Sequence, residues 1–257
     1  MDFGRTAADY GRFRVGFPEG FFARLAEWGI GLAGQRIVDL GTGTGVLARE
    51  FAAAGCVVTG VDVARELLDD AATHGPEVTY RLASADDTGL PGDAWDAVTA
   101  AQCWHWFDRP KVIAEVRRLL VDGGSLVICG RDYPLEPGSL GALSEELVLR
   151  HNPDWGAVGN LADEPMWTEE LRANGFGAVR TFEFTVDVPF THEAWRGRMR
   201  SSNGVGASMS PDQVAAFDAE LARLLAERFP EPLFVPHRVW AIGSTKEPGA
   251  GQADAGA

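Results

Sequence analysis

The chain has 257 residues, of which 46% are hydrophobic and 23% charged, with a formal net charge of −14 at pH 7. That apolar share can bury one large core, and the excess negative charge repels nucleic acid and anionic membranes, which leaves small molecules as the expected partners. Three cysteines in or beside apolar runs, with no CxxC or Cys/His ligand spacing, predict reduced thiols and no metal site; no basic-then-apolar leader and no run of about 18 apolar residues occurs, which predicts a cytoplasmic protein.

Residues 1–35 read as an N-terminal lid followed by an amphipathic helix from Phe21 to Trp28. From Arg36 the pattern alternates between strands and helices, with strands at 36–40, 57–62, 78–82, 95–101 and 125–130 and helices near 46–54, 65–73 and 110–120. Asp108 is placed to cap the last of these helices, with Pro110 in its first turn, and Asp122-Gly123-Gly124 reads as a turn before the fifth strand. Recurrent strand–helix–strand units predict an α/β fold, a parallel sheet covered on both faces over 36–131. Between 132 and 246 the spacing predicts helices near 140–150, 168–174, 192–201 and 211–228, and two alternating strands at 180–188 and 237–243. The last residues, 247–257, are small and polar and read as a disordered tail.

The most informative segment is Val38-Asp39-Leu40-Gly41-Thr42-Gly43-Thr44-Gly45, where a buried strand runs into a glycine turn that opens a helix. Alternate glycines let the main chain turn sharply and approach a ligand closely. Twenty-one positions beyond Gly41, Asp62 ends the next strand, where a carboxylate accepts hydrogen bonds from ribose hydroxyls in nucleotide-binding βαβ units. The third glycine comes one place earlier than in dinucleotide-binding turns.

This run, with Gly60-Val61-Asp62, Ala85-Asp86 ahead of Leu90-Pro91, Trp95-Asp96-Ala97-Val98 and Cys103-Trp104-His105-Trp106-Phe107, resembles the class I S-adenosylmethionine-dependent methyltransferases. Within that class it resembles the trans-aconitate-methyltransferase-like and ubiquinone-biosynthesis-like small-molecule enzymes. The resemblance spans roughly residues 10–245 and is strongest from Arg36 to Arg131. It implies a Rossmann-like seven-stranded sheet, mostly parallel with an antiparallel last strand, and a helical cap from N- and C-terminal insertions. It implies S-adenosylmethionine as cofactor and S-adenosylhomocysteine as product. It would place the amino acid moiety over Gly41, Thr42 and Gly43, with Asp39 fixing the turn, Gln102 near the methionine end and Arg14 pairing with the methionine carboxylate. Asp62 would take the ribose, Val63 the adenine face, and Ala85 and Asp86 the adenine edge. Which of Asp86 and Asp87 points inward stays open.

Trp104, Trp106 and Phe107 follow the fourth strand and can flank a sulfonium with aromatic faces, or simply cover the sheet. His105 can accept a proton from an acceptor hydroxyl or acid, or only shape the pocket. Tyr10, Tyr133 and Arg196 are candidate acceptor contacts, and Arg196 and Arg200 share a helix face that can receive an anion. Three other readings remain: a cyclase or lyase that consumes the same cofactor and releases methylthioadenosine, a nicotinamide oxidoreductase disfavoured by the glycine spacing, and a nucleoside-binding protein without turnover. The acceptor and the oligomeric state are not legible.

Overall fold

The computed structural model describes residues 16–156 and 164–248, so Tyr10, Arg14 and the tail from 249 onward lie outside the described residues. In chain order the elements are α1 (Glu19–Glu27), β1 (Arg36–Leu40), α2 (Val46–Ala53), β2 (Val57–Asp62), α3 (Arg65–His74), β3 (Thr79–Leu82) and β4 (Trp95–Ala101). A short 3₁₀ turn (Trp104–Trp106) leads to α4 (Arg109–Leu119) and β5 (Leu120–Asp132). Then follow α5 (Leu140–His151), α6 (Glu164–Ala173), β6 (Phe176–Phe190), α7 (His192–Arg200), α8 (Pro211–Arg228) and β7 (Leu233–Lys246).

The seven strands form one sheet in the order β3-β2-β1-β4-β5-β7-β6. β1 to β5 pair in parallel, and β7 runs antiparallel to both its neighbours. The chain winds outward from β1 to β3 and restarts on the other side at β4. Strand order therefore reverses between β1 and β4, which opens a crevice outside their carboxyl ends.

Alternating side chains along the buried strands divide the core between the two faces. Val38, Leu40, Val98 and Ile128 pack under α4 and α6 through Val112, Ile113, Val116, Trp167 and Leu171. Ile37, Val58, Ala97, Val127 and Cys129 pack under α1 and α2 through Phe21, Leu25, Leu47 and Phe51. A third cluster joins α5, α7 and α8 to the outer ends of β6 and β7, through Leu147, Trp195, Met199, Phe217, Leu221 and Phe190. The C-terminal helices thus carry an apolar core of their own over one end of the sheet. Their starts are fixed locally: Ser139 Oγ accepts from Ala142 N, Thr191 Oγ1 from Ala194 N, and Ser210 with Gln213 closes a capping box. Each cap contributes about 1 kcal/mol to its helix.

Two local expectations are corrected. Asp122-Gly123-Gly124 is not a turn before a strand but lies within β5, where pairing with β4 slips between Trp95↔Leu120 and Ala97↔Ser125. Gly123 has φ +79, so the extra residues are absorbed as a bulge. Asp108 stands at the start of α4 but caps nothing with its side chain, because its carboxylate pairs with Lys111 at 2.7 Å.

Candidate active site

The glycine turn after β1 is built from buried hydrogen bonds. Thr42 N donates to Val61 O at 3.0 Å, which ties the turn to β2. Gly41 has φ +64, and a Cβ there would lie 2.8 Å from Cys103 Sγ, so a side chain is excluded by both backbone and space. Asp62, at the end of β2, accepts from Gly43 N through Oδ2 and from Ala64 N through Oδ1, both at 2.9 Å. The carboxylate clasps the turn and still has lone pairs available to a ligand.

Beneath the turn, Asp39 is 1% exposed and accepts from Thr99 Oγ1 at 2.6 Å. Burial pushes its carboxyl up to about 6, against the opposing hydrogen bond from Thr99. At the end of β4, Gln102 adopts φ +63, a backbone region costly for a residue with a Cβ. Its N–H donates to Cys129 O at 2.9 Å and its amide Nε2 to Arg131 O at 2.5 Å, so the neighbouring strand holds it there.

Two lobes meet at Gly41, Ala101 and Gln102. The larger, about 270 Å³, has an apolar wall of Leu67, Ala83, Ala85, Trp106 and Phe107, with Asp62, Val63, His105 and Asn203 also on its surface. The smaller, about 80 Å³, lies over Asp39, Thr42 and Thr44 and is bounded by Gly16, Phe17, Arg131 and Arg198. His105 is half-buried, with its ring 4.7 Å from that of Trp106, and burial lowers its pKa to about 4. Its imidazole is therefore neutral near pH 7 and able to accept a proton.

A family model described as a methyltransferase domain matches residues 38–128. A methyltransferase-like protein of Schizosaccharomyces pombe is 32% identical over 252 residues, covering 96% of both chains. The chain belongs to the class I S-adenosylmethionine-dependent methyltransferases. An uncharacterised methyltransferase of Mycobacterium tuberculosis is 35% identical over 126 residues, 49% of this chain and 50% of that one. The chain thus aligns with about half the length of that relative. Among solved structures, a Haemonchus contortus phosphoethanolamine N-methyltransferase in complex with S-adenosylhomocysteine superposes with a TM-score of 0.58 at 19% identity, over 96% of this chain and 57% of that one. At that identity it speaks for the fold.

The cleft of this methyltransferase suits an adenosyl sulfonium. An apolar wall, the Asp62 carboxylate beside it and a narrow polar lobe adjoin one another around Gly41, Ala101 and Gln102. Thr44 Oγ1, buried in the polar lobe, has no hydrogen-bond partner among the described residues. Of the residues expected from sequence, the cleft brings together Asp39, Gly41, Thr42, Gly43, Asp62, Val63, Ala85, Gln102, His105 and Trp106.

Others stand elsewhere. Trp104 is 1% exposed and faces the core between sheet and α4, because the 3₁₀ turn rotates it away from Trp106. Asp86 accepts from Ser84 Oγ and does not line either lobe, and Asp87 is exposed. Tyr133 donates to Glu145 Oε1 at 2.5 Å and packs beneath Arg198, one layer behind the smaller lobe. Arg196 pairs with Asp218 and Glu193 on the outer side of α7, away from both lobes. Sequence reasoning placed Phe107 beside the pocket, where it lies, but missed Arg131, Arg198 and Asn203. Helical phase was the available signal for Arg198, which lies two residues, about 200°, from Arg196. Asn203 had none, since it reaches the larger lobe only through tertiary packing.

Proposed function

We propose that this chain transfers the methyl group of S-adenosylmethionine to a small-molecule acceptor. The observation that carries this reading is the clasp of the glycine turn by Asp62 at the junction of an apolar and a polar lobe. Bound there, the cofactor supplies an electrophilic methyl carbon and leaves as S-adenosylhomocysteine.

The residues of the cleft then have distinct tasks. Asp62 accepts from the ribose hydroxyls, while Val63, Leu67, Ala83 and Phe107 enclose the base, with Ala85 at its edge. Asp39 and Gln102 fix the polar lobe under the amino acid moiety, and Arg14, outside the described residues, is assigned to its carboxylate. Trp106 and Phe107 exclude water and offer ring faces to a cation. His105, held neutral by burial, accepts the acceptor's proton when the acceptor is a hydroxyl or an acid. Asn203, from the segment between α7 and α8, brings the cap against the larger lobe, so the acceptor enters between cap and sheet.

Product analysis tests the reading. After incubation with S-adenosylmethionine and a mixture of small-molecule acceptors, the nucleoside product is to be S-adenosylhomocysteine. Methylthioadenosine would instead assign the cyclase or lyase chemistry.

A further inference from the structure

The larger lobe is lined in the order of the strands beneath it. Ala83 and Ala85 follow β3, Asp62 and Val63 stand at the end of β2, Gly41 and Gly43 follow β1, and His105 and Trp106 follow β4. The base and ribose are assigned to the β3 and β2 side of this row. Asn203 arrives from the opposite side, because α7 and α8 pack on β6 and β7, which lie beyond β5 at the other end of the sheet. That route brings it to the β4 side of the lobe, the part the nucleoside leaves open.

The loop that carries Asn203 is fixed from behind. Asn152 Nδ2 donates to Gly204 O at 2.9 Å, Ser208 Oγ donates to Asn203 O, and Gly206 N donates to Ser202 O at 3.0 Å. Gly204 lies against the Trp155 indole, where a Cβ would come within 2.8 Å of Nε1. The backbone is thus held, while the half-buried Asn203 amide makes no hydrogen bond among the described residues.

Other polar side chains of the lobe are engaged. Asp62 accepts from Gly43 N and Ala64 N, Gln102 Nε2 donates to Arg131 O, and Cys103 Sγ donates to Leu40 O at 3.2 Å. His105, like Asn203, has no hydrogen bond among the described residues, and burial keeps its imidazole neutral. Asp62 carries the one formal charge among the described residues that line the lobe. A carboxylate or phosphate acceptor would meet no cationic side chain there, and a cationic acceptor would stand against the sulfonium. In an otherwise apolar lobe, a few unmatched polar groups fix the orientation and identity of what binds.

From this arrangement we infer that the acceptor is an uncharged ring compound with two adjacent hydroxyls, the reacting one taken by His105 and its neighbour by the Asn203 amide, with the ring against Trp106. Asn203 is then the residue that sets acceptor specificity. The inference rests on the methyltransferase reading and names the acceptor class for it. In the transfer the hydroxyl oxygen gains the methyl carbon and its proton passes to the His105 imidazole. The electron pair of the broken carbon–sulfur bond stays on sulfur, and the imidazolium returns its proton to solvent.

The test is calorimetric titration of the protein saturated with S-adenosylhomocysteine, using catechol, phenol and benzoate. Catechol is expected to bind, and phenol about tenfold more weakly, because it leaves the Asn203 amide unmatched. Benzoate is expected to bind about tenfold more weakly than catechol or worse, since its charge has no partner. Asn203→Ala is expected to bring catechol within about twofold of phenol, and Asn203→Ser to keep part of the difference through its hydroxyl. In both variants S-adenosylhomocysteine affinity stays within about twofold of wild type. No binding of catechol, phenol or benzoate binding as tightly as catechol, or undiminished discrimination in Asn203→Ala would overturn the inference. Loss of S-adenosylhomocysteine affinity in Asn203→Ala would also overturn it, assigning Asn203 to the cofactor. Failure of the wild-type protein to bind S-adenosylhomocysteine would defeat the underlying reading instead.

Discussion

Replacing Asp62 by asparagine separates the two tasks assigned to this carboxylate. In the structure its two oxygens accept from Gly43 N and Ala64 N, each at 2.9 Å. Asparagine has one oxygen, so if it remains on Ala64 its NH₂ group faces the Gly43 N–H, donor against donor. A hydrogen bond to a charged acceptor is worth about 1.5–3 kcal/mol, and because Asp62 is half-buried the loss in folding stability belongs at or below the lower end, about 1 kcal/mol. The loosened turn and the missing oxygen act together on the ribose, so S-adenosylhomocysteine affinity is expected to fall about tenfold to a hundredfold. Urea unfolding reads the first quantity and calorimetric titration the second. An Asp62→Asn protein that binds S-adenosylhomocysteine within about twofold of wild type would refute the reasoning, whatever its stability.

Three further outcomes follow from the same geometry. Gly41→Ala places a Cβ 2.8 Å from Cys103 Sγ at φ +64; the left-handed backbone costs about 1–2 kcal/mol and the displaced thiol about 1–3 more, to be read as a lower urea midpoint, and an unchanged midpoint contradicts the turn geometry. Asp39 has its pKa raised from 3.8 to about 6, so the folded state holds the proton more tightly than the unfolded one. Its contribution is present below about pH 4 and lost as pH rises through about 6, about 3 kcal/mol at most. Asp39→Asn should therefore gain stability relative to wild type between pH 4.5 and 7.5 in urea titrations, and a parallel pH dependence would sink the assignment. With His105 at about 4, an acid limb of kcat/KM set by this imidazole falls near pH 4 rather than 6.5, and it disappears in His105→Ala; a variant with wild-type turnover and pH profile would remove the base role.

The sequence was most legible where local patterns and burial agree. β1, β2 and β4 run over the expected residues because each is a short apolar stretch bounded by turn residues and buried on both faces. β5, β6 and β7 extend beyond expectation, since antiparallel pairing continues along segments whose own patterns are mixed, and the glycines at 123–124 are accommodated as a bulge. The same contrast holds in the site. The glycine turn and Asp62 are adjacent through one βαβ unit, so spacing alone brings them together. Trp104 and Arg196 were assigned to the pocket by position along the chain, yet one 3₁₀ turn and one helical phase carry their neighbours Trp106 and Arg198 to the cleft instead. Helical phase separates Arg198 from Arg196, but which of the two faces meets the cleft depends on where the sheet and the cap lie, a tertiary fact.

The central claim is that the turn after β1 and the carboxylate ending β2 together hold one sulfonium nucleoside. Calorimetric titration of the wild-type protein with S-adenosylmethionine, S-adenosylhomocysteine and the nicotinamide dinucleotides tests it most directly. The account predicts one site per chain for each adenosyl sulfur compound and no binding of either dinucleotide. Binding of a dinucleotide alone would contradict it.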